Sequence, residues 1–233
     1  MRFPSALAND MRYQAKYGFY LIYALVSMLY TAALLFCPPE YRRIAASIII
    51  LTDPAMLGLF FVGGIWLLEK SEGLHGFWLV SPLRPLEYVL SKAASLGVIS
   101  TLSAGVIALI GLREAVNYPL LLAGVFFGGL SFTLIGLFVA TYARSVNQYL
   151  IIAAPPATLL AAPAILAAFG ISNPFFDILP GTAMWRLIAV SLGIGDAPEM
   201  QLCAVLALWL CASLCLACKR VCAAMRTGEG GGA

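Results

Sequence analysis

The chain carries six apolar runs, each close to the length of a bilayer-crossing helix: Gly18 to Cys37, Ile44 to Leu68, Ala93 to Leu112, Pro119 to Ala143, Tyr149 to Phe169 and Met200 to Cys218. A spanning helix needs about 20 mostly apolar residues, and inside the bilayer every backbone polar group must be satisfied within the protein. The runs therefore predict an all-α integral membrane protein with six transmembrane helices. The stretches between them are too short for a soluble domain with its own core. Composition closes the other routes. With 62% apolar and 11% charged residues, the chain is neither a soluble globular domain nor a disordered one. A net charge of +3, its basic residues on loops between the runs, leaves no footprint for nucleic acid.

An even number of spans puts both termini on one side, and the Lys/Arg bias decides which. One side collects ten basic residues, among them Arg12, Lys70, Arg84, Lys92 and Arg144; the other has four, Arg42, Arg43, Arg113 and Arg186. Both termini are expected in the cytoplasm. The first run is too long for a signal peptide, and Pro38-Pro39 stands where a cleavage site would need small residues, so it reads as a retained span. Bulky Phe36 speaks against a lipoprotein cleavage box. Residues 1–17 place Phe3, Leu7, Met11 and Tyr17 beside Arg2, Asp10, Arg12 and Lys16, a pattern suited to an interfacial helix, with an ordinary charged tail as the alternative. Residues 219–233 read as a cytoplasmic tail, glycine-rich and flexible at its end.

The loop over residues 69–92 is charged and apolar at once. Glu69, Glu72 and Gly73 open it, Leu74, Phe77, Trp78 and Leu79 need a cover of membrane or protein, and Ser81-Pro82 breaks its first helical piece. Pro85 and Glu87, following Arg84, suit the first turn of a new helix. The order acid, acid, Gly, amphipathic stretch, Ser-Pro-Leu and then Glu-Tyr-x-Leu-x-Lys entering a span resembles the permease subunits of type-2 ABC exporters, although Leu74-His75 stands where that family usually has Ser or Thr. The resemblance implies that this segment is a cytoplasmic coupling helix seated on an ATPase subunit, with Glu69, Glu72, Gly73, Phe77, Trp78, Pro82, Arg84 and Glu87 contacting or orienting it. It covers nearly the whole chain: an interfacial helix at 1–17, a six-span domain at 18–218, and an apolar re-entrant outer segment at 171–199 before the last span. It implies a prokaryotic cell membrane, a second permease copy or paralogue, and lipid as surroundings. No Gly-x-x-x-x-Gly-Lys-Ser/Thr occurs, so ATP and Mg belong to a separate ATPase chain and no cofactor or metal is expected on this one.

Within the spans, Asp53 is the lone carboxylate. Thr52-Asp53-Pro54 reads as a helix-start signal, with a kinked or restarted second span, and a role in the transport pathway is the competing reading. Pro155, Pro156 and Pro163 predict a kink in the fifth span, as a hinge or a tolerated irregularity. Gly63, Gly64, Gly124, Gly128, Ser100 and Ser103 read as points of close helix approach. Cys203, Cys211, Cys215, Cys218 and Cys222 share a face of the last span; soft-metal binding is the sharper reading, and a stripe of small buried residues is preferred. Disulfides are disfavoured because the stripe runs toward the reducing cytoplasm.

Enzyme readings fail on residue chemistry. Gly193-x-Gly195-Asp196 matches an intramembrane aspartyl protease motif, but that reaction needs two carboxylates sharing a proton and Asp196 falls in an outer loop. His75 is the single histidine, expected at a solvated or interfacial position, which excludes serine-histidine and His-Glu-x-x-His chemistry. The expectation is a transporter subunit exporting an amphipathic or apolar compound. The alternatives are a subunit similar to those of the cytochrome c maturation (haem) exporter, or a substrate-binding membrane subunit of a vitamin uptake system.

Overall fold

A computed structural model describes residues 3–52, 56–76, 84–112, 115–171 and 173–226. Among them the regular structure is helical throughout: α1 (Phe3–Lys16), α2 (Phe19–Phe36), α3 (Pro39–Ile50), α4 (Met56–Ser71), α5 (Pro85–Gly111), α6 (Tyr118–Ala140), α7 (Val146–Ala168), a 3₁₀ turn (Phe176–Ile178), α8 (Pro180–Ser191) and α9 (Glu199–Arg226). Five of these, α2, α5, α6, α7 and α9, are long and apolar enough to cross a membrane.

The second apolar run behaves differently from the others. It is divided between α3, of 12 residues, and α4, of 16, about 18 and 24 Å at 1.5 Å per residue, so neither reaches across the hydrocarbon core alone. Pro39 sits in the first turn of α3 with Glu40 beside it. At the far end the Thr52 hydroxyl donates to the Ile48 carbonyl at 2.8 Å, the back-bonding that bends helices. Asp53, on which the cap and pathway readings rest, lies outside the described residues.

The core is organised around α6, which packs against α4, α5, α8 and α9 and buries Phe132, Leu134, Leu137 and Ala140 completely. Close approach is bought by glycine. Gly63 of α4 lies under the Tyr149 ring of α7, where a Cβ would collide with it, and the Tyr149 hydroxyl donates to the Leu59 carbonyl. Gly124 and Gly128 likewise admit Leu187 and Met184 of α8, while Gly64 faces open space. Ser100 and Ser103 of α5 meet Tyr23 and Ser27 of α2 through their hydroxyls. The helix α7 runs unbroken from Val146 to Ala168 through Pro155, Pro156 and Pro163, and the Ser145 hydroxyl caps it by accepting from the Gln148 amide at 3.2 Å.

Before the last helix the chain folds back on itself. The short helix α8 is wedged among α6, α7 and α9 and buries residues on all sides, from Pro180 to Ser191. Arg186 pairs with Asp177 at 2.7 Å, and Trp209 of α9 donates to the Ile178 carbonyl at 2.7 Å. The Gly193 and Gly195 of the protease-like motif both have left-handed φ, 71° and 72°, a conformation glycine adopts without strain; they turn the chain between α8 and α9.

Two sequence expectations are corrected. The cysteine stripe is not buried packing: Cys203, Cys211 and Cys215 are exposed, Cys218 and Cys222 half-buried, and all six cysteines are free. The reason is that α9 turns Leu202, Leu206, Ser213, Ala217 and Val221 inward, which leaves those three cysteines on its opposite side. His75 is not solvated either; it is 2% exposed.

Candidate functional site: a buried charge lock between α1, α4 and α5

The helix α1 docks through a face that carries two polar residues, while its other polar residues Ser5, Asn9, Arg12 and Lys16 stay exposed. Ala6, Asp10 and Gln14, spaced by four residues, form its buried face, and residues four apart lie one above another on a helix. They meet the first three turns of α5. There Lys92 is fully buried, with its ammonium 3.0 Å from Asp10 Oδ1 of α1 and in contact with Glu69 Oε1 of α4. Three helices thus converge on one cation.

The remaining lone pairs are filled by neighbours. The Ser91 hydroxyl donates to Asp10 Oδ2, and the Tyr88 hydroxyl donates to Glu69 Oε2 at 2.6 Å. The Lys92 ammonium also lies 4.7 Å from the centre of the Tyr88 ring. One turn further, Gln14 Nε2 donates to Ser95 Oγ at 2.6 Å. Burying charges is costly unless each is paired and hydrogen-bonded, and here each charged group has at least two partners. The arrangement specifies one seat for α1, since a slip by a turn would strand a carboxylate or the lysine in the interior.

A second attachment lies at the end of α4. Glu72 accepts from the hydroxyls of Tyr13, at 3.1 Å, and Tyr17, one on α1 and one just past its end, whose rings lie tilted at 47° with centres 4.6 Å apart. Burial first, then the Glu72 carboxylate, raises the Tyr13 phenol above its ordinary range; for Tyr17 the hydrogen bond to Glu72 is the leading cause. Both stay neutral donors. Beyond Glu72, Gly73 turns the chain with φ 72°, and His75 folds back over Trp66 with ring centres 4.1 Å apart. Burial, reinforced by Lys92 and Lys70, lowers the His75 pKa to about 4, so the ring is neutral near pH 7.

The expected coupling residues therefore divide. Glu69 is 2% exposed and faces inward, so it orients other groups and has no free surface for a partner. Glu72 is exposed but engaged with α1. Arg84 is exposed at the start of α5, where its backbone amide donates to Glu87 Oε2 at 2.8 Å and Pro85 occupies the first turn, as the sequence reading of that helix start expected. Phe77, Trp78 and Pro82 lie outside the described residues. Asp10, Gln14, Tyr88, Ser91 and Lys92 were missed as members of the site. The available signal was opposite charge at matching depth: Glu69 ends one apolar run and Lys92 precedes the next.

Comparison with known proteins places the chain in a family. The model of the fluoroquinolones export permease protein family matches residues 1–225. The protein named fluoroquinolones export permease protein in each of two Mycobacterium tuberculosis strains is 30% identical over 223 residues, covering 94% of this chain and 93% of the relative. The inner membrane transport permease YhhJ of Escherichia coli is 29% identical over 105 residues, 42% of this chain and 28% of that protein. Apolar helices and permease relatives together make this a multi-pass membrane protein, and the resemblance to type-2 ABC permeases is upheld. The chain belongs to the fluoroquinolones export permease protein family.

Proposed function

We propose that this chain is the membrane subunit of an ATP-driven exporter, working as a dimer with a second permease and with separate ATPase subunits that bind ATP and Mg. The cargo is an amphipathic or apolar compound of the drug or lipid class, a reading supported by the name of the Mycobacterium tuberculosis relatives and by the apolar helices. In this reading α3 and α4 together make a sixth crossing, and both termini and the loop over residues 69–92 lie in the cytoplasm of a prokaryotic cell.

The observation that carries the mechanism is the bridge from Lys92 to Asp10 and Glu69. A push from an ATPase on the loop between α4 and α5 would not move that loop alone. Because one buried lysine joins α1, α4 and α5, the three would tilt as a unit, and the pathway between protomers would open outward. Family membership favours this over the vitamin-uptake alternative, which would hold its ligand without an ATPase contact.

The test is purification from the native membrane in mild detergent. A Walker-motif ATPase recovered in about equal amount, with ATP hydrolysis in the preparation, is the expected result. Reversing the exposed charge with Arg84→Glu should reduce that recovery while leaving the permease folded. A clean permease with no ATPase would overturn the reading.

A further inference from the structure

Between α2 and α5 the bundle has a groove of about 570 Å³, reaching from Met11 of α1 to Leu35 and Ile110 near the other ends of the two helices. It opens sideways, because its rims are unpartnered: Leu21 and Met28 of α2 and Leu102 and Leu109 of α5 are each more than 60% exposed. Its volume lies within the range of about 300 to 1,000 Å³ of sites for drug-sized molecules. Among the described residues no charged side chain lines it, but hydroxyls do.

The hydroxyls are of two kinds. Ser27 and Ser103 bond to each other across the groove floor, and Ser27 also donates to the Tyr23 carbonyl at 2.7 Å; these are satisfied. The hydroxyls of Tyr20 and Thr31, on either side of that pair, have no hydrogen-bond partner among the described residues, and Thr31 is only 7% exposed. The backbone positions of these two residues are about 16 Å apart along the axis of α2. A hydroxyl enclosed by hydrocarbon without a partner is unfavourable, and lipid tails offer none. A fatty acyl chain would fill the space and leave both hydroxyls unpaired. An elongated molecule with an apolar body and hydrogen-bonding groups toward each end would satisfy them.

We propose that the groove between α2 and α5 is a binding site for the exported compound, an elongated, drug-sized amphiphile without net charge that enters sideways from the bilayer. The export role of the site rests on the function proposed above; the binding itself does not.

The probe is a fluoroquinolone, a fluorescent zwitterion near neutral pH, titrated onto the full-length permease in phospholipid nanodiscs and followed by fluorescence polarisation. Ala24 and Ala32 line the groove and are exposed, so Ala24→Phe and Ala32→Phe fill it without disturbing the packed interior. Each should weaken binding at least tenfold. Thr31→Val, which keeps shape and removes the hydroxyl, should weaken it by about three- to tenfold, the usual worth of one hydrogen bond. Thermal stability should stay as in the wild type for at least one of the two phenylalanine variants. Wild-type affinity in a folded phenylalanine variant, or no saturable binding by the wild type, overturns the site. So does a change of oligomeric state in that variant with binding per chain unchanged, which assigns the groove to a second copy, or loss of a tightly held phospholipid with probe binding intact. Export by cells distinguishes the two proposals: groove-dependent binding without export overturns the exporter reading alone, and export unaffected by the phenylalanine variants overturns the groove alone.

Discussion

Lys92 Nζ lies 3.0 Å from Asp10 Oδ1 across 82 positions of sequence, and on its other side it touches Glu69 of a third helix. A fully buried lysine between two carboxylates is a demanding arrangement to build, and its loss would be asymmetric. Lys92→Met removes the one cation and strands two carboxylates; truncating one partner of a buried pair costs about 3 to 5 kcal/mol. Asp10→Asn leaves Lys92 paired with Glu69 and keeps an acceptor for Ser91, so its cost should be about 1 to 2 kcal/mol. Thermal unfolding in one detergent, with the two variants side by side, reads the order. Equal effects would show that Asp10 contributes as much as the whole triad.

His75 gives the protein a single histidine-dependent acid response. Its folded pKa of about 4 lies below the ordinary value near 6.5. Below pH 6.5 the unfolded chain takes up a proton that the folded chain refuses, so the contribution of this site is intact above that pH and falls as pH drops toward 4. The slope is about 1.4 kcal/mol per pH unit at most. His75→Phe keeps the contact with Trp66 and has no proton to take up. Between pH 7 and pH 5 its stability should fall less than that of the wild type, and parallel curves would refute the assignment.

Adjacent glycines should answer differently to the same change. In Gly63→Ala the new methyl group meets the Tyr149 ring, whereas in Gly64→Ala it meets nothing within 4 Å. Overpacking typically costs about 1 to 3 kcal/mol, and alanine in an open helical position is favoured over glycine by roughly 1 kcal/mol. Expression and melting temperature of the two variants should move in opposite directions. A tolerated Gly63→Ala would show that Tyr149 has another place to go.

The helical class, the apolar runs and the start of α5 at Pro85 and Glu87 were legible in the sequence because each follows from local chemistry. Spanning helices need long apolar stretches, and helix starts follow the chemistry of their own first turn. The seat of α1 was not legible in the same way. Its apolar residues suggested a helix lying on lipid, and only packing showed that two of its polar residues, Asp10 and Gln14, face protein. The cysteine stripe and His75 were misjudged for a related reason: periodicity says which residues share a face, not what lies opposite.

What the amino-acid order determined alone is thus the set of elements and their medium, since hydropathy and turn chemistry act over a few residues. The tertiary structure decided which charges were partners. Glu69 and Lys92 stand at the edges of two apolar runs, and Asp10 lies in a third, amphipathic segment. Their common site exists only because α1, α4 and α5 converge at one end of the bundle, where the low dielectric of the interior makes pairing those three charges the condition for burying any of them.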